Sequence, residues 1–215
     1  MNPEDEGRKA PARRRRRTPE IAEREIIAAA EAFLREQPFR ALTVDEVMRR
    51  TDLSRPSFYV YFRDRHHLVL RVVEHLGAEL FSMSERWLRG TGEGPQLARE
   101  ALEGIVEVYA AHGPVMRALA DAAADDPGVE EAYSAIVEGF VQATARHIED
   151  EIAIGRILPV DPHETAKALV WMMERYLNLS FGHEPASSRD AVADTLTTIW
   201  TRVLYGVSGG SGGGG

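Results

Sequence analysis

The residues with the clearest potential for chemistry are the hydroxyl and guanidinium side chains between Thr43 and Phe62, in the string TVDEVMRRTDLSRPSFYVYF. One short helix is expected to expose Arg55, Ser57, Val60 and Tyr61 on its outer side. Such groups on the first turns of a helix suit the phosphates and base edges of a DNA major groove. The expected chemistry is therefore the non-covalent recognition of a polyanion.

Two short helices have to position these groups. Thr43 followed by Glu46 has the capping-box spacing, which predicts that the first helix begins there. Ser54 is expected to cap the second helix, and Pro56 fits its first turn because that position needs no backbone N–H. The short segment between the helices matches the spacing of a helix-turn-helix motif. Asp52 lies in this turn, at a position where we expect a left-handed backbone.

The spacing alone leaves open whether Tyr59 and Tyr61 contact a ligand or only pack, half-buried, beside the core residues Phe58 and Phe62. The charge distribution favours a ligand. Residues 8–66 carry 15 basic and 9 acidic side chains, whereas the chain from residue 67 onward carries 11 and 22. This asymmetry indicates a basic N-terminal part that meets a polyanion and an acidic body that does not.

The composition excludes several other classes of protein. The 215 residues include no cysteine, which rules out disulfides, thiolate metal sites and cysteine nucleophiles. No apolar run approaches the roughly 18 residues of a membrane span, and no signal-peptide core follows the N-terminal arginines. We expect a cytoplasmic protein without a membrane partner, a disordered basic arm over residues 1–17 and a flexible Gly/Ser tail over residues 208–215.

Apolar residues recur at three- and four-residue spacing along most of the remaining chain, and no alternating run is long enough for a sheet. The pattern predicts an all-α fold of about nine helices, with breaks that include Gly113-Pro114, Asp126-Pro127 and Asp161-Pro162. We place a helix-turn-helix domain at residues 18–66 and a larger helical body at residues 67–207.

The string from Thr43 to Leu68 resembles the N-terminal part of the TetR-type transcriptional repressors. Their pattern is a Thr-capped helix, a Gly-containing turn, a recognition helix that ends in Tyr-x-x-Phe, and an acid- or Ser-capped helix that carries Lys and Leu. The corresponding residues here are Thr43, Asp52, Tyr59, Phe62, Asp64, Arg65 and Leu68. Asp52 replaces the usual Gly, and Arg65 replaces the usual Lys while keeping its charge.

The resemblance implies a homodimer that binds a roughly palindromic double-stranded DNA operator in successive major grooves. It implies phosphate contacts for Thr43, Ser57, Tyr59 and Arg65, and base-edge contacts for Arg55 and Tyr61. No cofactor is expected.

The body carries a second set of candidate residues. Glu174 and Asn178 lie one helical turn apart beside apolar neighbours, where a carboxylate and an amide are costly unless they are paired. The residues alone leave two roles open, a structural hydrogen bond or a contact to a ligand.

Within the TetR type, the chain resembles the branch of ethionamide-resistance repressors, on strings that include Ser54-Arg55-Pro56, Met172-x-Glu174-Arg175 and Thr195-Leu196-x-x-Ile199-Trp200. This similarity implies a long, mostly apolar pocket for an elongated lipophilic effector whose polar group meets Glu174, Asn178 or Thr144. The pocket residues that it indicates are Ile105, Tyr109, Tyr133, Phe140, Thr144, Val170, Met173, Glu174, Asn178 and Trp200. It also implies that the last two helices form a four-helix dimer seam, which accounts for their surplus of apolar residues.

Catalytic and metal sites have little support. His66 and His67 are adjacent and therefore point to different helix faces, and neither they nor His75 have partners at metal-ligand spacing. We expect no metal and no enzyme activity. The alternative function is a helical protein that binds lipids or small molecules, with an N-terminal part that is vestigial or contacts another protein.

Overall fold

The computed structural model describes residues 18–90, 92–157 and 159–206. Within these residues it contains eight α-helices and no β-strand, which confirms the predicted all-α class. The helices are α1 (Pro19–Glu36), α2 (Val44–Met48), α3 (Arg55–Tyr61), α4 (Arg65–Leu88), α5 (Gly94–Asp125), α6 (Pro127–Ala153), α7 (Pro162–Phe181) and α8 (Arg189–Tyr205). A 3-10 helix, Phe39–Ala41, lies between α1 and α2. The predicted arm at residues 1–17 and tail at residues 208–215 lie outside the described residues.

The helix-turn-helix motif predicted at Thr43–Phe62 is present as α2 and α3. Thr43 Oγ1 accepts the backbone N–H of Glu46 at 3.2 Å, so the predicted cap of α2 is made. Ser54 precedes α3 as predicted, but its hydroxyl bonds to Ser57 Oγ at 2.8 Å and caps no backbone group. Phe62 and the α3 residue Phe58 are fully buried, which fixes the side of α3 that faces the core.

The turn between α2 and α3 differs from the expectation for Asp52. No described residue other than glycine has a positive φ, so the left-handed backbone expected at Asp52 is wrong. Side-chain hydrogen bonds hold the turn instead. Thr51 Oγ1 donates to the carbonyl of Met48 at 3.0 Å and accepts the N–H of Leu53 at 3.2 Å. Glu25 of α1 accepts the N–H of Asp52 at 3.0 Å, so the turn needs no glycine.

The 24-residue helix α4 joins the helix-turn-helix unit to the body. The Asp64 carboxylate caps it by accepting the N–H of His67 at 2.8 Å, and this bond is the main cause that lowers the pKa of Asp64. His66 Nε2 lies 2.8 Å from Asp126 Oδ2. The other oxygen of Asp126 caps α6, so the beginning of α4 is tied to the beginning of α6.

The central helix α5 is longer than the sequence indicated. The break predicted at Gly113-Pro114 is wrong, because α5 continues from Gly94 to Asp125 with Pro114 inside it, and the helix count is therefore eight. Gly113 does not end a helix; its role is to allow a close helix contact. A Cβ placed on it would lie 2.1 Å from the carbonyl oxygen of Phe181, so its hydrogen side chain lets the end of α7 approach α5 closely.

Helix α5 packs against α1, α4, α6, α7 and α8, so the body is built around it. Most large apolar side chains of these helices are buried between them. On the outer sides of α7 and α8, Trp171, Leu179 and Val203 remain 43%, 60% and 41% exposed. None of the helices in the described residues combines the length and the apolar character needed to cross a bilayer.

Candidate nucleic-acid interface and body cavity

The outward side of α3 presents the side chains that the sequence marked for DNA. Tyr59 is 51% exposed and Arg55 is exposed, while Ser57 and Tyr61 are half-buried. Tyr61 also packs against the core, so it has the packing role left open from the sequence in addition to a partly exposed ring. Thr43, at the start of α2, is exposed.

Arg55 is held across the outer surface of the motif. Its Nε donates to Asp45 Oδ1 at 2.7 Å, and its guanidinium lies 5.6 Å from the centre of the Tyr59 ring. Both members of the ion pair are more than half exposed, and pairs of this kind stabilise a protein by only about 0–1 kcal/mol. A phosphate or base edge can therefore replace Asp45 at little cost, while Tyr59 keeps the guanidinium near the surface.

Arg65 is oriented at the first position of α4. Its Nη1 donates to the carbonyl of Leu42 at 3.1 Å, and its guanidinium lies 5.4 Å from the centre of the Phe39 ring. These contacts use one of five N–H donors and leave others for a phosphate. Thr43 is similarly available, because its oxygen accepts from Glu46 while its hydroxyl proton can still be donated.

The body contains a cavity of about 50 Å³ between α4, α5, α6 and α7. Seven of the residues predicted for ligand binding line it, namely Ile105, Tyr109, Tyr133, Phe140, Val170, Met173 and Glu174. This volume holds only a few water-sized molecules, so a larger ligand has to displace side chains.

A second cavity of about 20 Å³ adjoins the first. Thr144 and Trp200 line it, together with four residues that also belong to the wall of the larger cavity, namely Ile105, Phe140, Val170 and Met173. The Phe140 ring stacks on Phe81 with centroids 3.8 Å apart. Nine of the ten predicted residues thus line two adjoining spaces with a common wall, and Asn178 lines neither of them.

Two lining residues of the larger cavity, Tyr133 and Glu174, form a hydrogen-bonded cluster with Asn178, which lies behind the wall. Glu174 Oε1 accepts from the Tyr133 hydroxyl and, at 2.6 Å, from Asn178 Nδ2. The structural bond that the sequence left open for Glu174 and Asn178 is thus present. Burial raises the pKa of the Tyr109 and Tyr133 hydroxyls, and the negative charge of Glu174 adds to both shifts, so both remain protonated.

Comparison with known proteins identifies the family to which this chain belongs. Residues 26–72 match the family described as "Bacterial regulatory proteins, tetR family", and residues 98–206 match "Transcriptional regulator EthR, C-terminal domain". The HTH-type transcriptional regulator EthR of Mycobacterium tuberculosis is 31% identical over 208 residues, covering 91% of this chain and 94% of that protein. The chain belongs to the TetR family of bacterial regulators.

Two further relatives agree with membership of the TetR family. EthR of Mycolicibacterium smegmatis is 28% identical over 203 residues, covering 92% of this chain and 94% of that protein. The crystal structure of a TetR-like transcriptional regulator from Rhodococcus sp. RHA1 superposes with a TM-score of 0.68 at 21% identity, over 87% of this chain and 97% of that one. The latter similarity is one of fold.

Two sets of residues in this TetR-family chain were missing from the predicted sites. Val60 on α3 is 74% exposed, more than any other large apolar residue described, and its place opposite Phe58 could have indicated a contact for a thymine methyl group. The α4 contribution to the larger cavity was missed as well; it consists of Val73, Leu76, Gly77 and Leu80. Apolar residues at helical spacing look alike in a sequence whether they face a filled core or a cavity.

The described part of this TetR-family chain contains no group of three or more His, Asp or Glu side chains placed to hold a metal ion. His66 and His67 instead make separate contacts, one with Asp126 and one with the backbone N–H of Arg63.

Proposed function

We propose that this TetR-family regulator is a repressor that binds a two-fold symmetric DNA operator as a homodimer and leaves it when a lipophilic molecule enters the body cavity. The observation that carries the proposal is the continuity of α4. Arg65, a candidate phosphate contact, is its first residue, and Val73 and Leu76 line the cavity on the same helix. At about 1.5 Å per residue, Arg65 and Leu76 lie roughly 16 Å apart along one rigid element.

The contacts of α4 support a route from the cavity to DNA. Gly77 is tightly packed, since a Cβ placed there would lie 2.6 Å from Ile136 Cδ1 of α6. A ligand that separates α4 from α6 at this point would displace the middle of α4 and with it Arg65. Because DNA and effector would prefer different positions of α4, each would weaken the binding of the other by the same factor.

The outer sides of α7 and α8 support the homodimer. Trp171, Leu179 and Val203 leave large apolar surfaces exposed, and contiguous apolar surface on a folded protein marks an interaction site. A seam between these helices and their copies would cover them. We assign DNA binding to residues 18–66 and effector binding and dimerisation to residues 67–207, with α4 crossing the boundary.

The deciding experiment is fluorescence anisotropy on the DNA that flanks the gene for this protein, with random DNA of equal length beside it, at two salt concentrations. We expect binding to depend on a palindromic sequence and to exceed binding to random DNA by a factor on the order of 10³ or more. Equal, strongly salt-dependent binding to both DNAs would indicate a merely electrostatic contact. If selection from random DNA also yields no preferred sequence, the repressor function is wrong and a helical ligand-binding protein remains.

A further inference from the structure

The larger cavity contains a single ionisable acid among apolar walls. Of the fifteen residues that line it, Glu174 alone has a charged side chain, and none is basic. Within residues 18–90, 92–157 and 159–206, no ion pair joins the Glu174 carboxylate to an arginine, lysine or histidine. Its charge is therefore balanced by no cation of the described chain.

The hydrogen bonds to Glu174 do not remove this imbalance. The Tyr133 hydroxyl and the Asn178 amide both donate to the same oxygen, Oε1, and both are neutral groups. They satisfy one oxygen and hold the carboxylate in place beside the cavity. Glu174 is partly buried, and a carboxylate at the edge of an apolar cavity gains more from a counter-ion than one in open water does.

A second unsatisfied group at this end is also an acceptor. Asn178 is 5% exposed, and its Oδ1 has no hydrogen-bond partner. Turning the amide over would place Oδ1 against Glu174 Oε1, so the observed orientation is fixed by the carboxylate. The unpartnered donor, Trp200 Nε1, lies instead at the smaller cavity. The Tyr109 hydroxyl of the same wall can donate a hydrogen bond, so the preference of this end for a cation follows from the charge of Glu174 and not from a lack of donors.

We propose that the molecule that fits the larger cavity is a lipophilic amine, whose protonated nitrogen pairs with the Glu174 carboxylate while its apolar part lies among the rings of Tyr109 and Phe140. The partly buried carboxylate already lies beside an apolar wall, so a cation that pairs with it gains an attraction that bulk water would screen more strongly. The aromatic rings of the wall attract a cation further. An anionic ligand of the same shape is repelled. This inference rests on the proposed function in one respect, since it takes the larger cavity to be the regulatory site.

The test uses three compounds that share a phenylbutyl skeleton and differ in charge. They are the cation 4-phenylbutylamine, the neutral 4-phenylbutan-1-ol and the anion 4-phenylbutyrate. Their affinities for the full chain are measured by titration calorimetry near neutral pH. We expect the amine to bind on the order of tenfold more tightly than the alcohol, as for a charge-assisted hydrogen bond, and the carboxylate to bind more weakly than both.

Two variants isolate the carboxylate. Glu174→Gln keeps the shape of the side chain and removes its charge. We expect this variant to bind the amine and the alcohol with about equal affinity. Glu149→Gln removes one negative charge from the exposed side of α6, and we expect it to keep the wild-type preference. Thermal unfolding of each variant shows whether it is folded, and the alcohol affinity of Glu174→Gln gives a second check that the cavity is intact.

The outcomes separate this inference from the repressor function. Equal affinity of the wild type for amine and alcohol, or an unchanged preference in Glu174→Gln, overturns the amine class and leaves the pocket standing. Absence of binding by all three compounds overturns the pocket together with its charge preference. Operator binding is also measured on the same samples without any compound. If no sample binds the operator, that result counts against the repressor function alone.

Discussion

Arg55 and Arg65 both carry a guanidinium near the surface that we propose to face DNA, but their surroundings predict different consequences of removal. Arg55 extends from α3 over Tyr59 and is free to exchange Asp45 for a base edge. Arg65 is fixed at the start of α4 by the carbonyl of Leu42. We therefore expect Arg55→Ala to weaken operator binding by about 1–3 kcal/mol and to relax the sequence preference.

The matched change Arg65→Ala is expected to weaken binding to all DNA sequences alike and to reduce the slope of log affinity against log salt by about 1. Anisotropy titrations on the operator and on single-base variants of it, over a range of salt, measure both effects. Arg65→Lys serves as the control, because it keeps the charge while losing the geometry of the contact to Leu42. An Arg55→Ala protein with unaltered sequence preference would show that Arg55 does not contact bases.

His147 of α6 provides a pH-dependent contribution to stability. It is 4% exposed and lies against Trp87 with ring centroids 4.2 Å apart, and burial lowers its pKa more than the nearby Glu151 raises it. The unfolded chain then binds a proton at higher pH than the folded one does. His147 consequently favours the folded state above the pKa of the unfolded form, about 6.5, and this contribution is lost as the pH falls below that value.

We expect the free energy of unfolding to fall more steeply between pH 7 and pH 5 in the wild type than in His147→Phe. Urea titrations at each pH give the comparison, and His183→Gln, which changes an exposed histidine, is the control that should retain the wild-type slope. Parallel pH profiles for the wild type and His147→Phe would mean that His147 does not titrate differently on folding.

The tight crossing of α5 and α7 at Gly113 leads to a prediction for whole helices. Gly113→Ala forces the carbonyl of Phe181 away from a Cβ that would lie 2.1 Å from it, and a backbone carbonyl cannot rotate aside as a flexible side chain can. We expect a loss of about 1–3 kcal/mol in the free energy of unfolding, as for other overpacked sites. Gly139→Ala in α6 is the matched control, since the nearest atom to its Cβ is 3.5 Å away.

In Gly139→Ala the higher helix propensity of alanine should act alone and stabilise the protein by about 0.5–1 kcal/mol. Chemical denaturation of both variants therefore yields changes of opposite sign. Changes of the same sign and size would mean that the approach of Phe181 to Gly113 is not a constraint on the fold.

The same elements show which features of the fold and the site could be predicted from the sequence alone. The cap at Thr43 and the buried faces of α3 were predictable, because their causes lie within one or two helical turns. The uninterrupted α5 was not, since Gly113 is explained by a backbone atom of Phe181 far along the chain. Likewise the turn at Asp52 depends on Glu25 of α1, which no local pattern reveals. All the predicted pocket residues except Asn178 line the two cavities, but the contribution of α4 to the wall depends on the packing of four helices and could not be read from the sequence.

For the whole molecule, the proposed seam of α7 and α8 predicts a change of oligomeric state. Leu179 is 60% exposed on α7, and a charge there would have to be buried between two copies if the seam exists. We expect Leu179→Glu to be monomeric at concentrations where the wild type is a dimer and to lose most of its operator affinity, because one half-site supplies only part of the contacts.

Sedimentation velocity and light scattering determine the mass of each protein. Ile154→Glu is the control, because Ile154 is 61% exposed just after the end of α6, belongs to neither α7 nor α8, and should leave the dimer unchanged. A dimeric Leu179→Glu protein would place the contact between subunits on another surface.

Phe140 lines both cavities, and its ring stacks on Phe81. We expect a short guest to stay beside Glu174 with the two rings together, whereas a longer one has to part them to reach Trp200. Along a series of alkylamines, affinity should then rise in a step at the length that separates the rings, and not evenly with each methylene. Such a protein would not respond to small metabolic amines. Only an amine long enough to separate the rings of Phe81 and Phe140 would act as an effector.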